Sequence, residues 1–430
     1  MEFVNHLAKY LDKSSIDQLI SSFSSEDIHA VLLNTKKMND ETFLSLFPNV
    51  IKHPIVPHAY IYKKDEYPLG KLIYHDLGCY YIQEPSAMLV SYLLNPNKED
   101  FILDMCAAPG GKSIGTSLIM DQTGVIISND ISKDRALALK DNITRLGLKN
   151  IVITNNDFKY IYQYYLNSFD KIILDAPCSG SGMFRKDDKM IKDWSINKVY
   201  KYALTQYELI DIAYTMLKPG GTLIYSTCSY SYEEDEEVIK HLLSYSDAIV
   251  EDINISPLFY QSIEKLGIHL FPHLFPGEGH YICKISKPGN LKNTKYDIKR
   301  NLSNLLPNEI KDFSSYKFGD YLFALTHDFK YKGLNIVLFG INVGELKGKD
   351  IIYSYQLAHS LNSYNQELEL NDEQLLSYIK GEEINISHNY KGNVLLKYKN
   401  IPLDFSKGNN NKIKNHYPKN IRKNKNFTLY

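Results

Sequence analysis

The chain has 430 residues, 44% of them hydrophobic, which is enough for two or three domains with proper cores and excludes disorder for most of its length. Lys plus Arg is 49 and Asp plus Glu is 50, a formal charge of −1, so any basic surface for a polyanionic partner has to be local. The five cysteines, none closer together than Cys79 and Cys106, exclude a disulfide framework and a Cys-x-x-Cys metal pair, and no metal is expected.

The opening Met-Glu-Phe-Val-Asn-His lacks the basic start and apolar stretch of a signal peptide. No run approaches the ~18 apolar residues of a membrane span, and a reducing cytoplasm is the expected location. Residues 1–95 read as an accessory segment of short helices broken by Pro48, Pro54, Pro57 and Pro68, with Ser14, Ser25 and Asp40 as N-caps. From Phe101 short apolar strands alternate with helical stretches: Phe101 to Met105, Val125 to Ser128, Ile151 to Thr154, Lys171 to Leu174 and Thr222 to Ser226. That alternation predicts an α/β fold with a parallel sheet over residues 96–287. Leu139, Ile143 and Leu146 mark the apolar stripe of one connecting helix, and Leu209, Ile212, Ala213, Met216 and Leu217 that of another. A Lys- and Asn-rich linker follows Lys287, so a third region spans 288–430, with short strands such as Ile336 to Gly340 and Val394 to Leu396 in a small mixed or all-β module. The last acid is Asp404. Beyond it Lys407, Lys412, Lys414, Lys419, Arg422, Lys423 and Lys425 form a basic tail that is either simply solvated or in contact with an RNA backbone.

Three constellations carry chemistry. The first, Asp104-Met105-Cys106-Ala107-Ala108-Pro109-Gly110-Gly111-Lys112-Ser113, stands where a strand gives way to a helix, the place where α/β folds bind nucleotides. Lys112-Ser113 looks like the end of a P-loop, but that motif needs Gly where Cys106 stands, which disfavours a nucleotide triphosphatase. Asp130 and Asp157 end the next two strands; Asp130 is placed to accept from a ribose diol, although a lone Asp there is more often a cap. The second constellation, Asp175-Ala176-Pro177-Cys178-Ser179-Gly180, and the third, Ser226-Thr227-Cys228-Ser229, put a cysteine just past each of two further strands. Either thiol alone reads as a small buried hydrophobe, whereas two at equivalent sheet edges point to a reactive pair.

These three motifs, in this order, resemble the Nop/Sun family of S-adenosylmethionine-dependent RNA 5-methylcytosine methyltransferases. Tyr81-Ile82-Gln83-Glu84-Pro85-Ser86-Ala87-Met88, Phe184-Arg185-Lys186-Asp187 and Lys414-Asn415-His416-Tyr417-Pro418-Lys419-Asn420-Ile421-Arg422 are similar to the bacterial branch named for ribosomal RNA small subunit methyltransferase F. His269 stands where the resemblance would put an arginine.

The resemblance implies a Rossmann-like class I methyltransferase domain, an N-terminal RNA-binding accessory segment and a small C-terminal PUA-like RNA-binding module. It implies Cys228 as the nucleophile toward carbon 6 of cytosine and Cys178 as the thiol that assists release. Lys112 is the candidate for the positive charge that a thiolate needs. Asp175 is expected to hydrogen-bond the cytosine and supply a proton, and to lie near the methionine end of the cofactor. For S-adenosylmethionine the resemblance assigns the loop Cys106, Ala107, Ala108, Pro109, Gly110, Gly111 and Lys112, with Asp130 on the ribose and Asp157 near the adenine. Arg185, Lys186 and the basic tail are expected to hold the RNA backbone.

The expected substrate is 16S small-subunit ribosomal RNA in single-stranded or loop form, because the base must leave its stack. The alternatives are the same chemistry on transfer RNA or large-subunit rRNA, and an assembly factor that binds RNA without turnover. A DNA cytosine methyltransferase, whose nucleophile would follow the proline, is disfavoured by Cys228.

Overall fold

The computed structural model describes residues 2–185, 188–253, 256–292, 294–296, 302–348, 350–409 and 411–422. Lys186, Asp187, Lys423 and Lys425, all named above, lie outside the described residues.

The runs of Val, Ile and Leu between 101 and 227 form five parallel strands: β1 (Phe101–Asp104), β2 (Val125–Asn129), β3 (Ile151–Thr154), β4 (Phe169–Asp175) and β5 (Leu217–Thr227). Both faces of these strands are buried, which is why they read as continuous apolar runs and not as alternating ones. Their spatial order is β3-β2-β1-β4-β5, so the chain reverses its winding direction between β1 and β4. Ligands of open α/β sheets bind beyond the carboxyl ends of the strands at such a switch point. Beyond β5 the sheet continues antiparallel through β6 (Ile268–Leu270) and β7 (His280–Ser286), with β7 pairing directly to β5.

The helices follow their local signals. Glu84 caps Pro85–Leu94 by accepting from Ser86 N at 2.9 Å and Ala87 N at 2.8 Å, and Pro85 takes the first turn, where no N–H is needed. Lys133–Leu146 starts at Ser132, buries Ala136, Leu139, Ile143 and Leu146 as one stripe, and ends at Gly147. Gly147 has φ 69°, and a Cβ there would meet His359 O at 2.0 Å, so only glycine fits.

Three local expectations fail. Asp12 and Asn39, not Ser14 and Asp40, cap the helices Lys13–Ser22 and Asp40–Leu46, each accepting from the backbone N–H three residues on. Ser25 precedes no helix; the next element is the strand His29–Leu33. The N-terminal region is not purely helical either: His29–Leu33 lies between Ala59–Tyr62 and Tyr80–Gln83 in an antiparallel sheet of four strands. Its short strands carry the weak period-2 signal that the prolines mask.

Residues 96–287 do not complete the central sheet by themselves. The strand Ile336–Phe339, from beyond the linker, pairs antiparallel with β3 and forms one edge. The rest of the C-terminal region builds one sheet of four strands and one of five, the latter with the helix Asp372–Lys380 beside it. Val31, Phe43 and Tyr80 of the N-terminal region share a single core with Tyr378, Leu403 and Tyr417 of the C-terminal one.

The basic tail is correspondingly less free than its composition suggests. Ile401–Asn409 is a strand, Ile413 and Tyr417 are fully buried, and Arg422 donates to Tyr417 O at 3.2 Å and Asn415 Oδ1 at 3.1 Å. Lys412, Lys414 and Lys419 remain exposed. Truncation after Phe405 therefore removes core, not just charge. Tyr417→Ala is expected to cost about 3–5 kcal/mol, as for other large buried rings, read as a lowered midpoint in urea unfolding; an unchanged midpoint would mean that the tail is not part of the core.

Candidate active site

Parallel pairing of β4 with β5 sets Asp175 opposite Ser226. Each strand then turns into its cysteine loop, and the two sulfurs, Cys178 Sγ and Cys228 Sγ, meet 3.0 Å apart. Gly182 N donates to Cys228 O at 2.8 Å, and a Cβ on Gly182 would come within 2.9 Å of that oxygen, so the loops close only around a glycine. The thiols are not equivalent. The hydrogen bond to Cys228, followed by burial, pushes the Cys178 thiol well above the usual range, so the proton of the pair rests on Cys178 and is offered to Cys228.

Beside the sulfurs, Lys112 forms a short ion pair with Asp175 Oδ2, while Asp175 Oδ1 accepts from Ser226 Oγ at 2.8 Å and lies 3.3 Å from His280 Nε2. Burial works to raise the pKa of Asp175, but Lys112 and then His280 outweigh it and hold the carboxyl well below the usual carboxylate range. Burial likewise works to lower the pKa of Lys112, and Asp175 more than offsets it, with Cys228 adding to the same effect. Asp175 is thus ionised near neutrality and accepts hydrogen bonds. The expectation that it supplies a proton fails; the acid in contact with it is the Lys112 ammonium.

A cleft of about 500 Å³ opens beside this group and is lined by Cys106, Asp130, Asp157, Asp175, Cys178 and Cys228 among others. The structure thus brings most of the sequence-predicted residues to one wall-to-wall site. Ala107, Ala108, Pro109, Gly110 and Gly111 do not line it: they form the turn behind Cys106, with Ala107 N donating to Asn129 O at 2.7 Å. Gly110 holds φ 117°, and a Cβ on it would press on Leu139 at 2.7 Å. Burial, and then neighbouring carboxylates, push the Cys106 thiol far up, which leaves it inert. Below the turn, burial raises Asp104 to about 7 even though Ser113 Oγ donates to it at 2.7 Å.

Asp130 tests the fit of an adenosyl ligand. Its Oδ1 accepts from Ser132 N at 2.9 Å, whereas the buried Oδ2 has no hydrogen-bond partner and faces only the Arg135 guanidinium at 3.5 Å. An unsatisfied buried carboxylate oxygen at the end of β2 suits a ribose hydroxyl. Asp157 caps Lys159 N at 3.0 Å and lines the same wall. Between the two acids Ile131 is 68% exposed and Phe158 is buried, an apolar pair for a flat base that sequence reading missed; an exposed isoleucine directly after a strand-end acid was the available signal.

Family models match three parts of the chain: 16S rRNA methyltransferase RsmB/F over residues 91–286, the N-terminal domain of 16S rRNA methyltransferase RsmF over 1–85, and the methyltransferase RsmF PUA domain over 365–423. The chain is 30% identical to ribosomal RNA small subunit methyltransferase F of Shewanella piezotolerans, across 98% of this chain and 97% of that protein. The chain belongs to the ribosomal RNA small subunit methyltransferase F family. The enzyme of that name from Vibrio vulnificus is also 30% identical, over 93% of this chain and 92% of its own.

Among solved structures, a methyltransferase homologue from Pyrococcus horikoshii is similar at 26% identity and TM-score 0.58, covering 66% of this chain and 94% of that one. NSun6 from the same organism, solved with SFG, shares the fold at TM-score 0.60 and 21% identity, over 67% of this chain and 98% of its own. The protein is therefore an S-adenosylmethionine-dependent ribosomal RNA methyltransferase of class I fold, with the N-terminal and PUA-like domains of its family. No described helix is long and apolar enough to cross a membrane.

Arg185 is not available to RNA. Its Nε lies 2.8 Å from Glu278 Oε2, its Nη2 donates to Gly277 O at 2.8 Å and its Nη1 to Ser25 Oγ at 3.0 Å, with the charged pair almost completely buried. His269, in the place of the expected arginine, lies 2.9 Å from Glu236 Oε1. Asp235, Glu236 and His269 are the group among the described residues with metal-ligand chemistry, but Thr227 and His269 already engage both carboxylates.

Asp130→Ala is expected to weaken S-adenosylmethionine binding about 10- to 100-fold, the worth of a charge-assisted hydrogen bond, by calorimetry at constant fold. Binding within twofold of wild type would remove Asp130 from the ligand.

Proposed function

We propose that the protein methylates carbon 5 of cytidine in 16S small-subunit ribosomal RNA through a covalent adduct between Cys228 and carbon 6 of the base. The observation that carries this reading is the contact of the two sulfurs at 3.0 Å beside the Lys112–Asp175 pair, in the cleft that also holds Asp130. The names of the relatives favour the 16S target over transfer RNA or large-subunit rRNA.

Carbon 5 of cytosine is a weak nucleophile, and addition of a thiolate at carbon 6 makes it an enamine carbon. Cys228 is the thiol of the pair that accepts a hydrogen bond, and the Lys112 ammonium favours its anionic form. As the adduct forms, negative charge builds on the pyrimidine ring. Lys112 can donate to the ring nitrogen while the ionised Asp175 accepts from the exocyclic amine, which fits cytosine and not uracil. S-adenosylmethionine, when bound, supplies the methyl group to carbon 5. Cys178 then assists the loss of the carbon 5 proton and the return of Cys228 as the leaving thiolate.

The target base has to be turned out of its stack to reach the cleft. The N-terminal helices stand near its floor: Phe3, Leu7 and Leu19 share a core with Phe184 and Tyr230, next to the cysteine loops. They hold those loops from behind, while the exposed Lys412, Lys414 and Lys419 of the PUA-like domain provide charge for the RNA backbone.

Cys228→Ala is expected to abolish 5-methylcytidine formation on 16S rRNA, whereas Cys178→Ala accumulates a protein–RNA adduct visible as a band shifted in a denaturing gel. Normal turnover by Cys228→Ala would overturn the mechanism, and methylation confined to transfer RNA would overturn the substrate. Replacing Lys412, Lys414 and Lys419 together by Glu should flatten the salt dependence of RNA affinity by about 0.7 in log–log slope per lost phosphate contact. An unchanged slope would place the RNA elsewhere.

A further inference from the structure

Each reactive cysteine is followed by a serine, and the two Cys-Ser pairs face one another. The sulfurs of Cys178 and Cys228 are 3.0 Å apart, and one residue along the hydroxyls of Ser179 and Ser229 are 3.3 Å apart. Both hydroxyls donate to the same atom, Glu234 Oε2. The other oxygen, Oε1, accepts from Ser179 N at 2.7 Å and from Gln206 Nε2 at 3.2 Å. Gln206 also donates to Pro177 O at 2.8 Å, and Tyr225 OH donates to the Glu234 carbonyl at 2.6 Å. Glu234 is fully buried, and every one of these donors is uncharged.

A buried carboxylate held only by neutral donors keeps an uncompensated charge in a medium of low dielectric. A structural tie between two loops would be met by hydroxyls or an amide at less cost. The charge therefore acts on what lies next to it, and what lies next to it is the thiol pair.

We propose that Glu234 is a positioning residue: its carboxylate pins the two cysteine loops to each other through Ser179 and Ser229, and its charge keeps the shared proton on Cys178. Cys228 is then left as the anion without any base having to deprotonate it in each cycle. The proton needs no further carrier, since it moves only between the two sulfurs and stays within the pair. Glu234 is among the groups that raise the Cys178 thiol, after the hydrogen bond to Cys228, burial and the charge of Cys228 itself. This inference rests on the roles proposed above for Cys228 and Cys178.

The test uses the full chain. Iodoacetamide labelling followed by peptide mass mapping gives the ratio of Cys228 to Cys178 alkylation as a function of pH. The wild-type ratio should favour Cys228 near neutrality. In Glu234→Gln it should fall about tenfold or more, one pKa unit of relative thiolate population, with S-adenosylmethionine affinity kept. Turnover should fall through kcat, with the KM for RNA kept. An unchanged ratio and unchanged kcat in folded Glu234→Gln would overturn the proposal.

If that variant fails to fold, Ser179→Ala with Ser229→Ala removes two donors and leaves the carboxylate, and the same fall in ratio is expected; an unchanged ratio there overturns it equally. The labelling needs no RNA. Failure of the wild-type protein to make 5-methylcytidine would therefore sink the methylation reading, while the thiol ratio would still decide separately whether Glu234 biases the pair.

Discussion

Hydrogen bonding between β4 and β5 fixes nearly everything that matters for chemistry. The register that sets Asp175 opposite Ser226 brings together two strand ends, and the loops leaving them have nowhere to go except into each other. Sulfur meets sulfur, serine meets serine, and the acid at the end of β4 falls beside the lysine that opens the helix after β1. On the other side β7 pairs with β5 and delivers His280 to Asp175. A slip of one residue in β5 would turn Ser226 away from Asp175 and reverse the facing of its whole run.

The site is built from charges taken out of water, and each is dealt with differently. Lys112 and Asp175 neutralise each other at the mouth of the cleft, which keeps both ionised and fixes which one can give a proton. Arg185 and Glu278 do the same deeper down, and Gly277 and Ser25 satisfy the remaining guanidinium donors. Glu234 is held by neutral donors alone. Breaking any of these pairs would leave a buried charge without a partner, a far larger penalty than the pair is worth in net stability.

The flanking regions are tied to the catalytic domain and are not loosely appended. A C-terminal strand completes the edge of the central sheet at β3, and the N-terminal sheet and the PUA-like domain share one apolar core. At the other end, His6 and Tyr10 reach Glu233, the neighbour of Glu234, at 3.0 and 3.3 Å. RNA contacts on either flank are thus mechanically continuous with the loops that carry the thiols.

Much of this was legible in the sequence because strand, loop and helix follow one another locally: a buried parallel strand is an apolar run, and its carboxyl end is where the next small or acidic residue stands. Cys178, Cys228, Asp130 and Asp157 were found by that rule, as were the five strands. What the sequence alone did not determine is which polar residues are spent on one another, because those partners lie far apart in the chain. Arg185 reads as a free cation until Glu278, 93 positions away, is placed against it. Asp175 reads as an acid until Lys112, 63 positions away, takes its charge. Glu234, 55 positions from Ser179, drew no notice, since an acid within an acidic run looks solvated. The tail past Asp404 read as free charge, and only the shared core shows Tyr417 holding it down. Burial and pairing belong to the tertiary structure because they depend on desolvation and on distances that chain order does not encode.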